Sequence, residues 1–278
     1  SGLDGPIPSS IGNLGKLELL HAQGTFLTGT LPSTVGKMLS LKDLRLAHNS
    51  LTGAIPASIG NLSKLEHLSL SSNNINGTLP DSIRGLVSLK KLILDFNAIM
   101  GQIPSSIGHL EQLTALLDLT ENKLTGEVPS AVGHLSKLEE LSLHSNKLSG
   151  TVTTLFNLTQ LEFVDLGRNL FQGSIPSNIG ALTKLEQIDL SNNRLTGTLP
   201  SQMGGLMQLV SFQAGGNFLT GSIPQSLCLL DLPLLVVDCL GTDLGTVNVQ
   251  CVCCTSCCNE NFCCELNKQR QILFNCYS

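Results

Sequence analysis

The chain has 278 residues, a formal net charge of −5 and a pI near 5.6. Only 13% of its residues are charged, and no basic stripe of the kind that nucleic-acid binding requires is present. With 4% aromatic residues, one Tyr and no Trp, it lacks the stacking platforms of a dedicated sugar or single-strand binder.

The first eight residues, SGLDGPIP, read as the tail of a repeat whose strand is missing, with neither an apolar leader nor a cysteine-bearing cap. The expectation is that Ser1 is not the start of the gene product. From here a G-x-[I/L/V]-P phrase recurs about every 24 residues, at Gly5, Gly29, Gly53, Gly77, Gly101, Gly126, Gly150, Gly173, Gly197 and Gly221. Nine of these ten phrases end in proline, which accounts for most of the 11 prolines. A fixed period of this length signals a solenoid, whose units bury their apolar sides only by stacking on one another.

Each period carries a pair of apolar residues two positions apart, such as Leu68 and Leu70, with polar residues between and beside them. That alternation predicts one short strand per unit, leucines inward, and stacked units give a parallel sheet. Three residues after the second inward residue stands an asparagine: Asn49, Asn73, Asn97, Asn122, Asn146, Asn169, Asn193 and Asn217. A carboxamide carries both donors and acceptors, so these side chains are expected to satisfy the backbone of a tight buried turn, forming a structural ladder. The following glycine opens backbone angles closed to other residues, and the proline fixes φ and removes a donor.

Three departures mark irregular units. An extra residue before Gly126, at Leu116 or Leu117, should bulge a strand start; Val152 and Thr153 replace Ile-Pro after Gly150 and should shorten the back of that unit. Thr25 occupies the asparagine position of the first unit, which should weaken the end of the ladder.

All ten cysteines follow residue 227: Cys228, Cys239, Cys251, Cys253, Cys254, Cys257, Cys258, Cys263, Cys264 and Cys276. An even number of thiols in about fifty residues with few apolar side chains predicts a disulfide-stapled cap behind a last degenerate strand at Leu235 and Val237. The C-x-x-C spacing of Cys254 and Cys257 also suits zinc, although no histidine accompanies it. The domain reading is therefore repeats over 1–227 and a degenerate last repeat plus cap over 228–278. The longest apolar run, Leu227 to Val237, is interrupted by Asp231 and Pro233 and is too short to span a bilayer. Sequons at Asn61, Asn76 and Asn157 are glycosylation acceptors in a secreted chain.

The string L-x-x-L-x-x-L-x-L-x-x-N-x-L-x-G-x-[I/L]-P is similar to the leucine-rich repeat, and the ending L-x-G-x-I-P-x-x-I-G resembles its plant-type subclass, over roughly residues 1–227. The resemblance implies an arc or superhelix of α/β type, with short parallel strands on the concave side and loops or 3-10 turns on the convex side. It also implies that the concave face binds another macromolecule. The string C-x-C-C-T-x-C-C resembles the cysteine-rich end of secreted leucine-rich repeat proteins of diatoms and related algae.

On that face the early strands carry most of the bases and the later ones are acidic. The expected binding residues are Lys42, Arg45, His67, Lys91, Asp118, His144, Phe163, Asp165 and Asp189. The later half would suit a cationic peptide or basic polymer, or a divalent ion on the aspartates. The six histidines assemble no nucleophile, base and oxyanion constellation, and an open face offers no water-excluding pocket, so the chain reads as non-enzymatic and without cofactor. Two functions fit: an extracellular or cell-surface module binding a protein, peptide or wall polymer, and a structural subunit of an extracellular assembly that uses the solenoid as a stiff scaffold and self-associates or joins partner chains.

Overall fold

The structure, a computed structural model, describes residues 4–237 in full and the backbone of residues 238, 256–258, 263–266 and 272–277. The chain divides into two compact units, residues 1–148 and 149–278.

In the first unit every repeat contributes one three-residue strand to the main sheet, and short flanking strands such as Asn74–Ile75 and Lys123–Glu127 pair in separate small sheets. The main-sheet strands are β1 (Leu19–His21), β2 (Asp43–Arg45), β3 (His67–Ser69), β4 (Lys91–Ile93), β5 (Leu116–Asp118) and β6 (Glu140–Ser142), paired in parallel and in sequence order. The register sets the inward leucines side by side, Leu44 against Leu68 and Leu68 against Leu92. Leu44, Leu68, Leu92, Leu117 and Leu141 are all buried. Parallel pairing needs a crossover between strands, and here it is a turn, a flanking extended segment and a short 3-10 helix such as Ala57–Asn61 or Asp81–Gly85. Proline stands at the N-cap of each of the first unit's 3-10 helices, at φ between −63° and −74°. The ring holds φ close to these values, so the proline positions the turn as well as ending the strand.

In the second unit the main-sheet strands are β7 (Phe163–Asp165), β8 (Gln187–Asp189), β9 (Ser211–Gln213) and β10 (Leu234–Asp238), again parallel and in order, and flanking strands at Gln172–Ser174, Arg194–Gly197 and Phe218–Leu219 form a second parallel sheet. The main sheet continues beyond the repeats: β11 (Ser256–Cys258) pairs parallel to β10, and β12 (Cys263–Leu266) and β13 (Ile272–Tyr277) follow antiparallel. The edge of β10 is thus occupied, which removes an exposed row of unpaired backbone groups. Leu235 and Val237 of β10 are buried as the alternation requires.

The irregular units have physical explanations. Leu117 is inward and buried while Leu116 faces outward between Lys91 and Glu140. The extra residue is absorbed just upstream. The amides of His67 and Glu66 share one carbonyl, that of Lys42, whereas those of Glu139 and Glu140 take separate carbonyls on Thr114 and Ala115. After Val152 the 3-10 helix is reduced to Leu155–Asn157, three residues instead of five.

Cys228 is disulfide-bonded. Of the other cysteines, Cys239, Cys251, Cys253 and Cys254 lie outside the described residues, and Cys257, Cys258, Cys263, Cys264 and Cys276 lie on strands described by backbone alone.

Candidate binding face

The outward face of the strands rests on the asparagine turns beneath it. Asn146 is representative: its Oδ1 accepts the amide of Leu124 at 2.9 Å, and its Nδ2 donates to the carbonyls of Leu119, Leu143 and His144 at 2.9, 3.1 and 3.3 Å. Asn73, Asn97, Asn122 and Asn193 repeat this pattern. At the first unit's end Thr25 does not simply weaken the ladder. Its amide donates to Asn49 Oδ1 at 3.1 Å and its hydroxyl to the carbonyl of Ala22 at 2.9 Å.

Sequence reasoning missed the corner residue that precedes each asparagine. His48, Ser72, Phe96, Glu121, Ser145, Arg168 and Asn192 all have φ between 50° and 55°. No β-branched residue occupies these positions, as left-handed geometry would penalise it. Before Asn217 the corner is Gly216 at 73°, and before Thr25 it is Gly24 at 61°; the seven corners between share no chemistry, so residue type signals the torsion only at the two ends.

In the first unit, several expected contact residues are engaged with one another. Arg45 grips Asp43 with two parallel bonds, Nε to Oδ1 at 2.8 Å and Nη2 to Oδ2 at 2.7 Å. His21 Nε2 and His67 Nδ1 approach the same carboxylate from the strands on either side, each at 3.3 Å. Asp43, an outward position by alternation, is consequently buried under these three side chains, at 7% exposure. Burial opposes its ionisation, but the hydrogen bonds from Arg45 and His67, the charge of Arg45 and the bond from His21 prevail and hold the carboxyl below its usual value. In the neighbouring row Lys42 pairs with Glu18 at 2.8 Å and Lys90 with Glu66 at 2.7 Å. The hydrogen bond to Lys42 lowers the pKa of Glu18, and the bond to Lys90 lowers that of Glu66. Lys91 stands exposed between His67 and Leu116.

Each of the three aspartates is anchored by a local backbone bond. Asp118, Asp165 and Asp189 each accept, at Oδ1, the backbone amide two residues on, from Thr120, Gly167 and Ser191 at 2.9, 3.0 and 2.7 Å. These local turns fix one oxygen of each carboxylate. In the second unit the register sets Asp165 opposite Asp189 and Phe163 opposite Gln187. Glu162 and Glu186 are both exposed, and the carbonyl of Glu162 accepts the amides of Glu186 and Gln187. His144 is half-buried two residues beyond its strand. The sequon residues Asn61, Asn76 and Asn157 are exposed, and Asn157 Oδ1 accepts a hydrogen bond from Asn178 at 2.8 Å. Among the described residues no helix is long and apolar enough to cross a membrane.

A family model described as a leucine-rich repeat region matches residues 57–170, and the single leucine-rich repeat matches residues 40–62, 160–182 and 184–206. Similar solved structures include a TDR receptor, 34% identical with a TM-score of 0.81 over 85% of this chain and 41% of that one. The plant peptide hormone receptor RGFR1 in complex with RGF2 is 35% identical, with a TM-score of 0.71 over 85% of this chain and 42% of that one. A plant ice-binding protein is 30% identical, with a TM-score of 0.71 over 80% of this chain and 71% of that one. The chain therefore spans less than half the length of the two receptor structures. No curated protein sequence matches it.

Proposed function

The chain belongs to the leucine-rich repeat family, and from that premise we propose that it is an extracellular recognition module holding an extended peptide or protein segment against the outward face of its strands. The observation that carries the reading is the contrast between charge rows. In the first unit Glu18, Lys42, Glu66 and Lys90 alternate in sign and compensate one another. In the second unit the corresponding positions are Glu162 and Glu186, both exposed and of one sign. Like charges on adjacent strands cost stability unless something cationic lies across them. No Lys or Arg occupies an outward strand position of β7, β8 or β9. A segment rich in Lys or Arg would compensate these carboxylates, and Phe163 beside them offers an apolar contact. A peptide ligand agrees with the hormone held by the receptor RGFR1.

Titration calorimetry of the full chain against an extended Lys- and Arg-containing peptide tests the reading. Binding should weaken several-fold in Glu162→Gln/Glu186→Gln and fall as salt is raised; binding indifferent to both changes would refute it. In the same extracellular setting we assign carbohydrate to Asn61, Asn76 and Asn157, and disulfides to the cysteines after Cys228. An intact mass unchanged by glycosidase would remove the first assignment, and ten titratable thiols without reductant the second. A scaffold role is favoured by exposed apolar side chains in the second unit, Val210, Phe218 and Leu229. Light scattering separates the two: a monomer that captures peptide supports recognition, and ordered self-association supports the scaffold.

A further inference from the structure

One asparagine of the first unit stands apart from the rest. Asn76 is followed by Gly77, and no other asparagine in the sequence precedes a glycine. It is exposed, and its carboxamide makes no hydrogen bond among the described residues, whereas the ladder carboxamides of Asn73 and Asn97 make four each. Asn76 lies just beyond the flanking strand Asn74–Ile75, between two bonds to the adjoining repeats. Its own amide donates to the carbonyl of Gly53 at 2.9 Å, and the carbonyl of Gly77 accepts the amide of Met100 at 2.8 Å.

Asparagine is chemically labile, and the backbone nitrogen that follows it decides how labile. To attack the carboxamide carbon, that nitrogen must shed its proton and reach Cγ. Elsewhere in the chain it is engaged. The amides after Asn13, Asn61, Asn157 and Asn178 close their 3-10 turns at 3.0–3.2 Å. Those after Asn49, Asn73, Asn97, Asn122 and Asn193 donate to carbonyls of the preceding repeat at 2.7–2.8 Å. The amide of Gly77 has no acceptor among the described residues. Gly77 also sits at φ 77° and carries no Cβ, so no side chain of its own shields the nitrogen.

We propose that Asn76 is a self-modifying site, which in the unglycosylated chain cyclises with Gly77 and loses its amide. The nitrogen of Gly77 bonds to Cγ of Asn76 and gives its proton to solvent. The Cγ–Nδ2 bond breaks, and Nδ2 takes up a proton and leaves as ammonia, which closes a five-membered succinimide. Water then opens the ring: attack at Cγ leaves aspartate, and attack at the backbone carbonyl of residue 76 leaves isoaspartate. The sum consumes one water, releases one ammonia and needs no oxidant or reductant. Either product places a carboxylate on the flank. Isoaspartate also inserts a methylene into the main chain between the bonds to Gly53 and Met100, so the two bonds no longer share one spacing. A glycan takes the same Nδ2 and removes ammonia as the leaving group, so the two fates of Asn76 exclude one another; this last point rests on the carbohydrate assignment above.

The test compares the full chain with Thr78→Ala, both from one secretory host. The variant destroys the sequon and leaves Asn76 and Gly77 in place, and wild type from a host that adds no glycan serves as a second unglycosylated sample. After days in mildly alkaline buffer, with circular dichroism showing the samples folded, peptide mapping by mass spectrometry with isoaspartate detection reads each asparagine. Both unglycosylated samples should lose the Asn76 amide many-fold faster than any other, and glycosylated wild type should keep it. Survival of that amide in both unglycosylated samples, while a free peptide of the same sequence loses its own, overturns the proposal. Equal loss at the exposed Asn13, whose following amide is engaged, overturns it too. Loss from secreted wild type at the rate of Thr78→Ala upholds the cyclisation and removes only the glycan, so the two failures are told apart.

Discussion

At the scale of single residues, the asparagine is a costly side chain to remove. In Asn146→Ala the buried amide of Leu124 loses its acceptor and three carbonyls lose a donor. Unsatisfied buried groups cost about 1–3 kcal/mol each. The expected loss is about 3 kcal/mol, read as a lower urea midpoint at unchanged slope. Asp43 gives a second, pH-dependent expectation. Its folded pKa is depressed, so its contribution is present above the ordinary carboxylate value and is lost as pH falls through the folded pKa, a window below about pH 4. The stability advantage of wild type over Asp43→Asn at neutral pH should therefore shrink as urea titrations are repeated below that value. The asparagines were legible because one packing problem recurs with one solution. The burial of Asp43 was not, because alternation gives the direction of a side chain and is silent on what its neighbours fold over it.

At the scale of the element, the glycine of the 3-10 helix decides how closely repeats approach. Its role was invisible in sequence, since Gly12, Gly36 and Gly60 lie outside the left-handed region and nothing local demands glycine there. The demand comes from the next repeat: a Cβ on Gly60 would collide with the carbonyl oxygen of Ser82, a backbone atom that cannot swing aside. Gly60→Ala should cost about 1–3 kcal/mol in denaturant titration. Gly15→Ala, whose Cβ would sit 3.8 Å from the Lys37 carbonyl in ordinary contact, should be close to neutral. The bulge illustrates a partial reading. Counting residues showed that one was extra, but two consecutive leucines left its place open, and only the paired carbonyls of Thr114 and Ala115 fix it.

At the scale of the molecule, stacked repeats distribute stability over nearest-neighbour interfaces. Exposed ion pairs contribute little to such a sum, so Lys42→Ala/Lys90→Ala should leave the urea midpoint essentially unchanged. The same double variant leaves Glu18 and Glu66 uncompensated, and affinity for a cationic peptide should rise in calorimetry. Period, strand direction and inward face could be read from the sequence because every unit must meet the same packing constraint. The use of the outward faces could not, because solvent-facing positions are free to vary and acquire meaning only when pairing sets Glu162 beside Glu186. The corner residue occupies a middle ground. From His48 to Asn192 it keeps one torsion while its chemistry passes through imidazole, hydroxyl, phenyl, carboxylate, guanidinium and amide. The torsion is held there while the side chain varies from repeat to repeat, so new specificities can be written at this rim one repeat at a time, by mutation or by graft, while the interior stays untouched.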